Sequence, residues 1–260
     1  MLFRSKGLYD FLQQQSNTAV QAPEAKKNDL FDGNWREEKF GAGVYRVRLI
    51  DEGGKININR VDEQVLRRIL TNLGIDDGRR DVLVDSIMDW RDPDDLHRIN
   101  GAENDYYAAL SPPYSAKNGP LDSVEDLLWI RGMTPELFFG LGESKEGAPS
   151  DAPRIALKDI FPVDSPIDRV NLRTATAEVI QAVMGIPLEK SRGFIEERKK
   201  SSERTLADLL PLLGLGSGDP ALRLFIFTNP AVISVEAEGK LADSNLRRRV
   251  KGIVRLGGAK

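Results

Sequence analysis

Carboxylates and amide oxygens crowd into two neighbouring stretches, Asp89-Trp-Arg-Asp-Pro-Asp-Asp95 and Asn100-Gly-Ala-Glu-Asn-Asp105. Oxygen-only ligands suit a hard cation such as calcium, which takes roughly six to eight of them. The candidate ligands are Asp92, Asp94 and Glu103, and calcium there would order a long loop whose carboxylates otherwise repel one another. The spacing is not that of an EF-hand, which alternates its first donors, then needs a glycine and a distant glutamate. The competing reading is a solvated acidic turn neutralised by Arg91, Arg98 and His97, because charge runs are usually surface features.

Other chemistry has less to stand on. Cysteine is absent and His97 is the single histidine, which excludes disulfides and cysteine nucleophiles and disfavours zinc. General-base work at His97 would need an oriented partner and a nucleophile, and no serine occupies a recognisable nucleophile elbow, so His97 reads as a surface residue. Paired carboxylates for glycoside hydrolysis can be found in any acidic protein, and nothing in the spacing here promotes a pair. No catalytic residue is expected.

The elements that must position these residues show in the hydrophobic pattern. Within 44–50, Tyr45, Val47 and Leu49 alternate with Val44, Arg46 and Arg48 as in a half-buried strand, ended by Asp51-Glu-Gly-Gly54. Ile233, Val235 and Ala237, and later Val250, Gly252, Val254 and Leu256, alternate in the same way. Turn residues at 242–245 predict antiparallel pairing of these last two runs. Between the strand signals, 61–215 has helical periodicity or loop composition, so a sheet interrupted by a helical insertion is expected. Arg247-Arg-Arg-Val-Lys251 is the most basic run and, in a strand, reads as a solvated sheet face.

The helical part contains a duplication. Lys55-Ile-Asn-Ile-Asn-Arg-Val-Asp-Glu-Gln-Val-Leu66 matches Arg169-Val-Asn-Leu-Arg-Thr-Ala-Thr-Ala-Glu-Val-Ile180, with Asn57 at the place of Asn171. Each opening leads into an apolar helix stopped at Gly74 or Gly185, where a left-handed cap is least costly, and then into a second helix. Ser123-Val-Glu-Asp and Thr205-Leu-Ala-Asp supply matched caps, closing at Gly132 and Gly214, and Thr134-Pro135 predicts a further short helix over 136–141. The stretch 92–120 is inserted only in the first copy, and 142–168 reads as a surface connector between copies.

Helix-Gly-helix units invite a DNA-binding reading, since hairpin amides and a helix N-terminus can hold a phosphate. The hairpins lack the Gly-apolar-Gly signature, and Gly74-Ile-Asp-Asp-Gly78 puts two acids where a phosphate would sit. A formal net charge of -3 over 260 residues gives no global electrostatic reason to bind nucleic acid or an anionic membrane. No apolar run approaches the roughly 20 residues that cross a bilayer, and the first residues lack the apolar centre of a signal peptide.

Taken in order, the strand ending in Asp51-Glu-Gly-Gly-Lys-Ile-Asn-Ile-Asn59, then Asp89-Trp90, Asp92, Asp94, Gly101-Ala-Glu103, Tyr106-Tyr107, Leu127-Leu128, Ile130, Gly132, Gly140-Leu141 and Val170-Asn171-Leu172, resemble the general secretion pathway protein K family. These are minor pseudopilins of the type II secretion system. The resemblance implies an α+β fold: a pilin-like antiparallel sheet with a truncated N-terminal helix, and a large inserted α-helical domain containing duplicated helix-hairpin units. On this reading 1–56 is the helix remnant and first strand, 57–228 the inserted domain with copies at about 57–141 and 170–216, and 229–260 the closing strands.

It further implies a periplasmic domain of an inner-membrane-anchored protein, touching the membrane only through a helix missing here. The partners implied are other minor pseudopilins in a hetero-oligomeric tip complex, with no nucleic acid. The family's association with calcium favours Asp92, Asp94 and Glu103 as ligands. The chain departs from the family in Arg60-Val61 and Arg173, and in having no cysteine pair. The rival from another class is a helix-hairpin-helix DNA-binding protein.

Overall fold

The computed structural model describes residues 29–41, 43–140, 155–165, 167–200, 204–241 and 246–256. The expected N-terminal helix, its linker and the turn at 242–245 lie outside the described residues. The chain divides into two compact units. One holds the described residues up to Gly54, Asn171–Thr176 and those from Arg192 onward; the other holds Lys55–Val170 and Ala177–Ser191.

The first unit is built on a sheet of order β1-β2-β5-β6, antiparallel throughout. Its strands are β1 (Arg36–Phe40), β2 (Gly43–Asp51), β5 (Val232–Leu241) and β6 (Arg247–Arg255). The predicted strands pair as expected, with Val47 opposite Ala237 and Leu49 opposite Val235; β1 carries no apolar alternation and was not predicted. Val47, Leu49, Ile233 and Val235 form the core on one face, with Leu30, Phe31, Tyr45 and Ala237 packed against them. Each of the four contributes about 1.5–3 kcal/mol by leaving water.

On the other face register sets opposite charges against each other. Arg46 lies across from Glu238 and Arg48 across from Glu236, at 2.9 and 2.8 Å. The guanidinium carbons of Arg46, Arg48 and Arg249 stand 4.5, 4.8 and 5.5 Å from the centre of the Trp35 ring, a cation–π cluster.

The second unit carries the first copy of the duplication and the first helix of the second. α1 (Glu63–Asn72) starts on Asp62, whose carboxylate accepts the Val65 N–H, and buries Val65, Leu66, Ile69 and Leu70. α2 (Asp77–Arg91) starts on Asp76. Two short helices follow, α3 (Asn104–Ala108) and α4 (Pro135–Phe139), the latter capped by Thr134 as predicted and ended by left-handed Gly140. α6 (Ala177–Met184) packs against α1. The division between units falls inside α7 (Leu188–Lys200). Asn72 of α1 donates to the Ala182 oxygen at 2.8 Å, near the end of α6. At Gly185, φ is +69°, and a Cβ would stand 2.7 Å from the Asn72 side-chain oxygen, so glycine is required twice over.

The duplication extends to hydrogen bonds. The Asn57 side-chain oxygen accepts the Asn59 N–H, and the Asn171 side-chain oxygen accepts the Arg173 N–H. The Asn57 carbonyl accepts from Arg60 and Val61, that of Asn171 from Thr174 and Ala175. Each opening is then closed by a returning segment that sequence reading did not find. Ile56 and Ile58 donate to Ile160 and Pro162, at and just past the end of α5 (Leu157–Ile160), while Leu172 donates to Ile226. The latter bond adjoins the short pair of β3 (Val170–Asn171) and β4 (Phe225–Ile226).

The structure corrects one expectation. The stretch 142–168 is not simply a surface connector: Ala156, Leu157, Ile160 and Phe161 are buried core residues, because the first copy needs its own closing segment. The compact unit that holds the sheet also takes in Asn171–Thr176. Asn171 donates to Asp51 at 3.0 Å and to the Thr228 oxygen at 2.9 Å, tying the second opening to the end of β2.

Candidate metal site

α2 places Asp85 and Asp89 one turn apart, so both carboxylates leave the same helix face. Both are buried. They hold the following loop: Asp85 accepts the backbone and side-chain N–H groups of Asn100 at 3.1 and 3.0 Å, and Asp89 accepts the Arg98 guanidinium at 2.8 Å. Arg98 reaches Asp92 with the same nitrogen, also at 2.8 Å. Burial alone would lower the Arg98 pKa, but its hydrogen bonds to Asp89 and Asp92 outweigh that and hold it charged. Gly101 lies against Asp89 so closely that any Cβ would overlap the carboxylate.

The far side of the loop is tied equally well. Asp94 accepts the Leu96 N–H at 2.9 Å, and Asp95 accepts the side-chain amides of Asn104 and Asn118 at 2.7 and 2.9 Å. Arg131 donates to the Gly101 carbonyl at 2.8 Å. Beneath, Trp90 meets Tyr107 and Tyr114 edge to face, with the Trp90 and Tyr107 centroids 5.1 Å apart, and the two tyrosine rings are tilted at 31° to each other.

Asp92, Asp94 and Glu103 come together as predicted: one carboxylate oxygen from each lies within 4.8 Å of the others. Two oxygens on opposite sides of a calcium ion, each about 2.3–2.6 Å from it, would be separated by about this much. Both Glu103 oxygens and the Asp92 Oδ1 are buried without a hydrogen-bond partner. Buried polar atoms normally have partners, so these orphaned acceptors are what a cation would satisfy. Burial, then the charges of Asp89, Asp92 and Asp95, push Glu103 up to about 7, against an opposing effect of His97. The donor set is all oxygen and fits a hard cation.

Of the three residues expected to neutralise a plain acidic turn, Arg98 alone bonds to the candidate ligands. Arg91 donates instead to the carbonyls of Ile58 and Val61, and His97 pairs with Asp105 at 2.9 Å. The roles of Asp85, Gly101 and Arg131 were missed. The four-residue spacing of Asp85 and Asp89 on a helix beside the loop was the available signal.

At the DNA-type hairpin, the Asp76 carboxylate accepts the Arg79 N–H at 3.1 Å. The helix N-terminus where a phosphate would rest is thus already capped by an anion.

These features define a class, an α+β protein whose antiparallel sheet is interrupted by a helical excursion carrying an oxygen-rich loop. Residues 48–142 match the family model for type II secretion system protein K, first domain. It is 33% identical over 104 residues to type II secretion system protein K of Pectobacterium carotovorum subsp. carotovorum, covering 40% of this chain and 32% of the relative. It is 39% identical over 75 residues to the putative type II secretion system protein K of Escherichia coli K12, covering 29% and 23%. The matches thus span about a third or less of these relatives' lengths. In fold, the chain resembles one in the crystal structure of the GspK-GspI-GspJ complex from the enterotoxigenic Escherichia coli type 2 secretion system. The TM-score is 0.66 at 17% identity, over 99% of this chain and 95% of that one.

Proposed function

We propose that the chain is the periplasmic part of a minor pseudopilin at the tip of the type II secretion pseudopilus, a structural assembly component for export of folded proteins that works by binding partners and not by catalysis. The observation that carries this reading is the agreement of the family match over 48–142 with a fold likeness along nearly the whole chain. The solved neighbour comes from a complex of three secretion proteins, so the partners here would be other minor pseudopilins. An inner-membrane anchor would be a helix ahead of the sheet; no helix among the described residues is long and apolar enough to cross a membrane.

Co-expression with the companion minor pseudopilins, followed by size-exclusion chromatography, tests the reading. A stable hetero-oligomer is expected. Components that stay apart at high concentration, together with normal pseudopilus assembly after deletion, would overturn it.

Within this role Asp92, Asp94 and Glu103 would hold calcium. The orphaned Glu103 and Asp92 oxygens support the assignment. Calorimetric titration should give heat with the parent chain and none with Asp94→Ala; a parent without heat removes calcium from the proposal.

A further inference from the structure

β6 is the outer strand on its side of the sheet, and no strand among the described residues takes its second edge. The Leu256 N–H donates to the Ala231 oxygen at 2.8 Å, one step along the β5–β6 register. Alternation along this unbulged antiparallel strand therefore turns the backbone N–H and C=O groups of Arg247, Arg249, Lys251, Ile253 and Arg255 outward. All nine residues of β6 are exposed. An open edge of that length is a template for one more strand.

Charge says which strand would fit. β6 carries Arg247, Arg248, Arg249, Lys251 and Arg255 and no acid. Arg247 and Arg249 share the single carboxylate of Glu238 with Arg46, while Arg248, Lys251 and Arg255 have no ion pair among the described residues. Two copies of β6 side by side would set cations against cations, which is destabilising for cross-strand neighbours. The other face of β6 carries Val250 and Val254 beyond Arg248: the two valines are 57% and 39% exposed and lie across from Ala237 and Ile233, at the margin of the core.

We propose that β6 receives an extended acidic segment of a partner protein as a fifth strand of this sheet. Carboxylates of the segment meet Arg247, Arg249 and Lys251, and its alternate apolar side chains extend the core beyond Val250 and Val254. Backbone pairing supplies affinity and the charge pattern supplies selection.

The test uses the whole chain and a fluorescent peptide of alternating glutamate and valine. Controls are the lysine–valine counterpart, the glutamate peptide with alternate amides N-methylated, and phosphatidylglycerol vesicles. The glutamate peptide should bind and slow amide exchange at Arg249, Lys251 and Ile253. N-methylation, which blocks strand pairing without altering the protein, should weaken binding about tenfold or more. Lys251→Pro removes one outward N–H and leaves the β5 ladder whole, so it should act in the same direction. Equal binding of the lysine peptide, indifference to N-methylation, or binding to the anionic vesicles alone would each overturn the proposal.

Discussion

Gly101 shows how one missing side chain holds a site together. An added methyl would collide with the Asp89 carboxylate, which must then turn away from Arg98 and release the loop at its base. Gly101→Ala should destabilise the chain by about 2 kcal/mol and weaken calcium binding with it, as read by urea unfolding and calorimetry. Asp94 offers the opposite case, because its side chain is exposed. Asp94→Ala should leave the metal-free melting temperature within about 2 °C of the parent and remove the calcium-induced rise. A variant that melts much lower without metal would mean that Asp94 serves the fold and not a ligand set.

At the scale of elements, the sheet and the second Asn opening are joined by a small buried network. Asp51 accepts Asn171 at 3.0 Å, Thr174 at 2.6 Å and the Gly53 N–H at 2.9 Å. Asn171→Ala strips a partner from Asp51 and leaves the Thr228 N–H and C=O without their Asn171 bonds, so a loss of about 3 kcal/mol in urea unfolding is expected. On the outer sheet face, the hydrogen bond from Arg46, with a further one from Arg249, holds Glu238 below its ordinary value of 4.5. A carboxylate depressed in the folded state contributes stability that is present above its unfolded pKa and lost as pH falls through the folded one. The parent should therefore lose thermal stability on acidification below about pH 4.5 more steeply than Glu238→Gln. Parallel pH profiles for the two chains would exclude this contribution.

At the scale of the whole molecule, the sheet depends on strands from opposite ends of the chain, since β2 pairs with β5 along its full length. A chain ending at residue 228 would keep β1 and β2 but lose the partners that bury Val47 and Leu49. An isolated pair of strands is marginal in water. Hydrogen exchange should accordingly find amides 43–51 protected in the parent and unprotected in the truncated chain. Protection surviving truncation would show that β2 does not rely on β5.

The strands at 44–50 and 233–237, the Asn57–Asn171 duplication, the glycine stops and the grouping of Asp92, Asp94 and Glu103 were legible in the sequence. Each is a local signal: alternation, a repeated string, a backbone that needs positive φ, or carboxylates close along the chain. The pairing of β1, the burial of Leu157 and Phe161, the recruitment of Asp85 and Arg131 to the loop and the diversion of Arg91 to Ile58 and Val61 were decided by tertiary structure. In these cases the partner lies far along the chain or the local pattern is polar, and a residue's neighbours in space, not in sequence, determine whether its hydrogen bonds and apolar surface are satisfied.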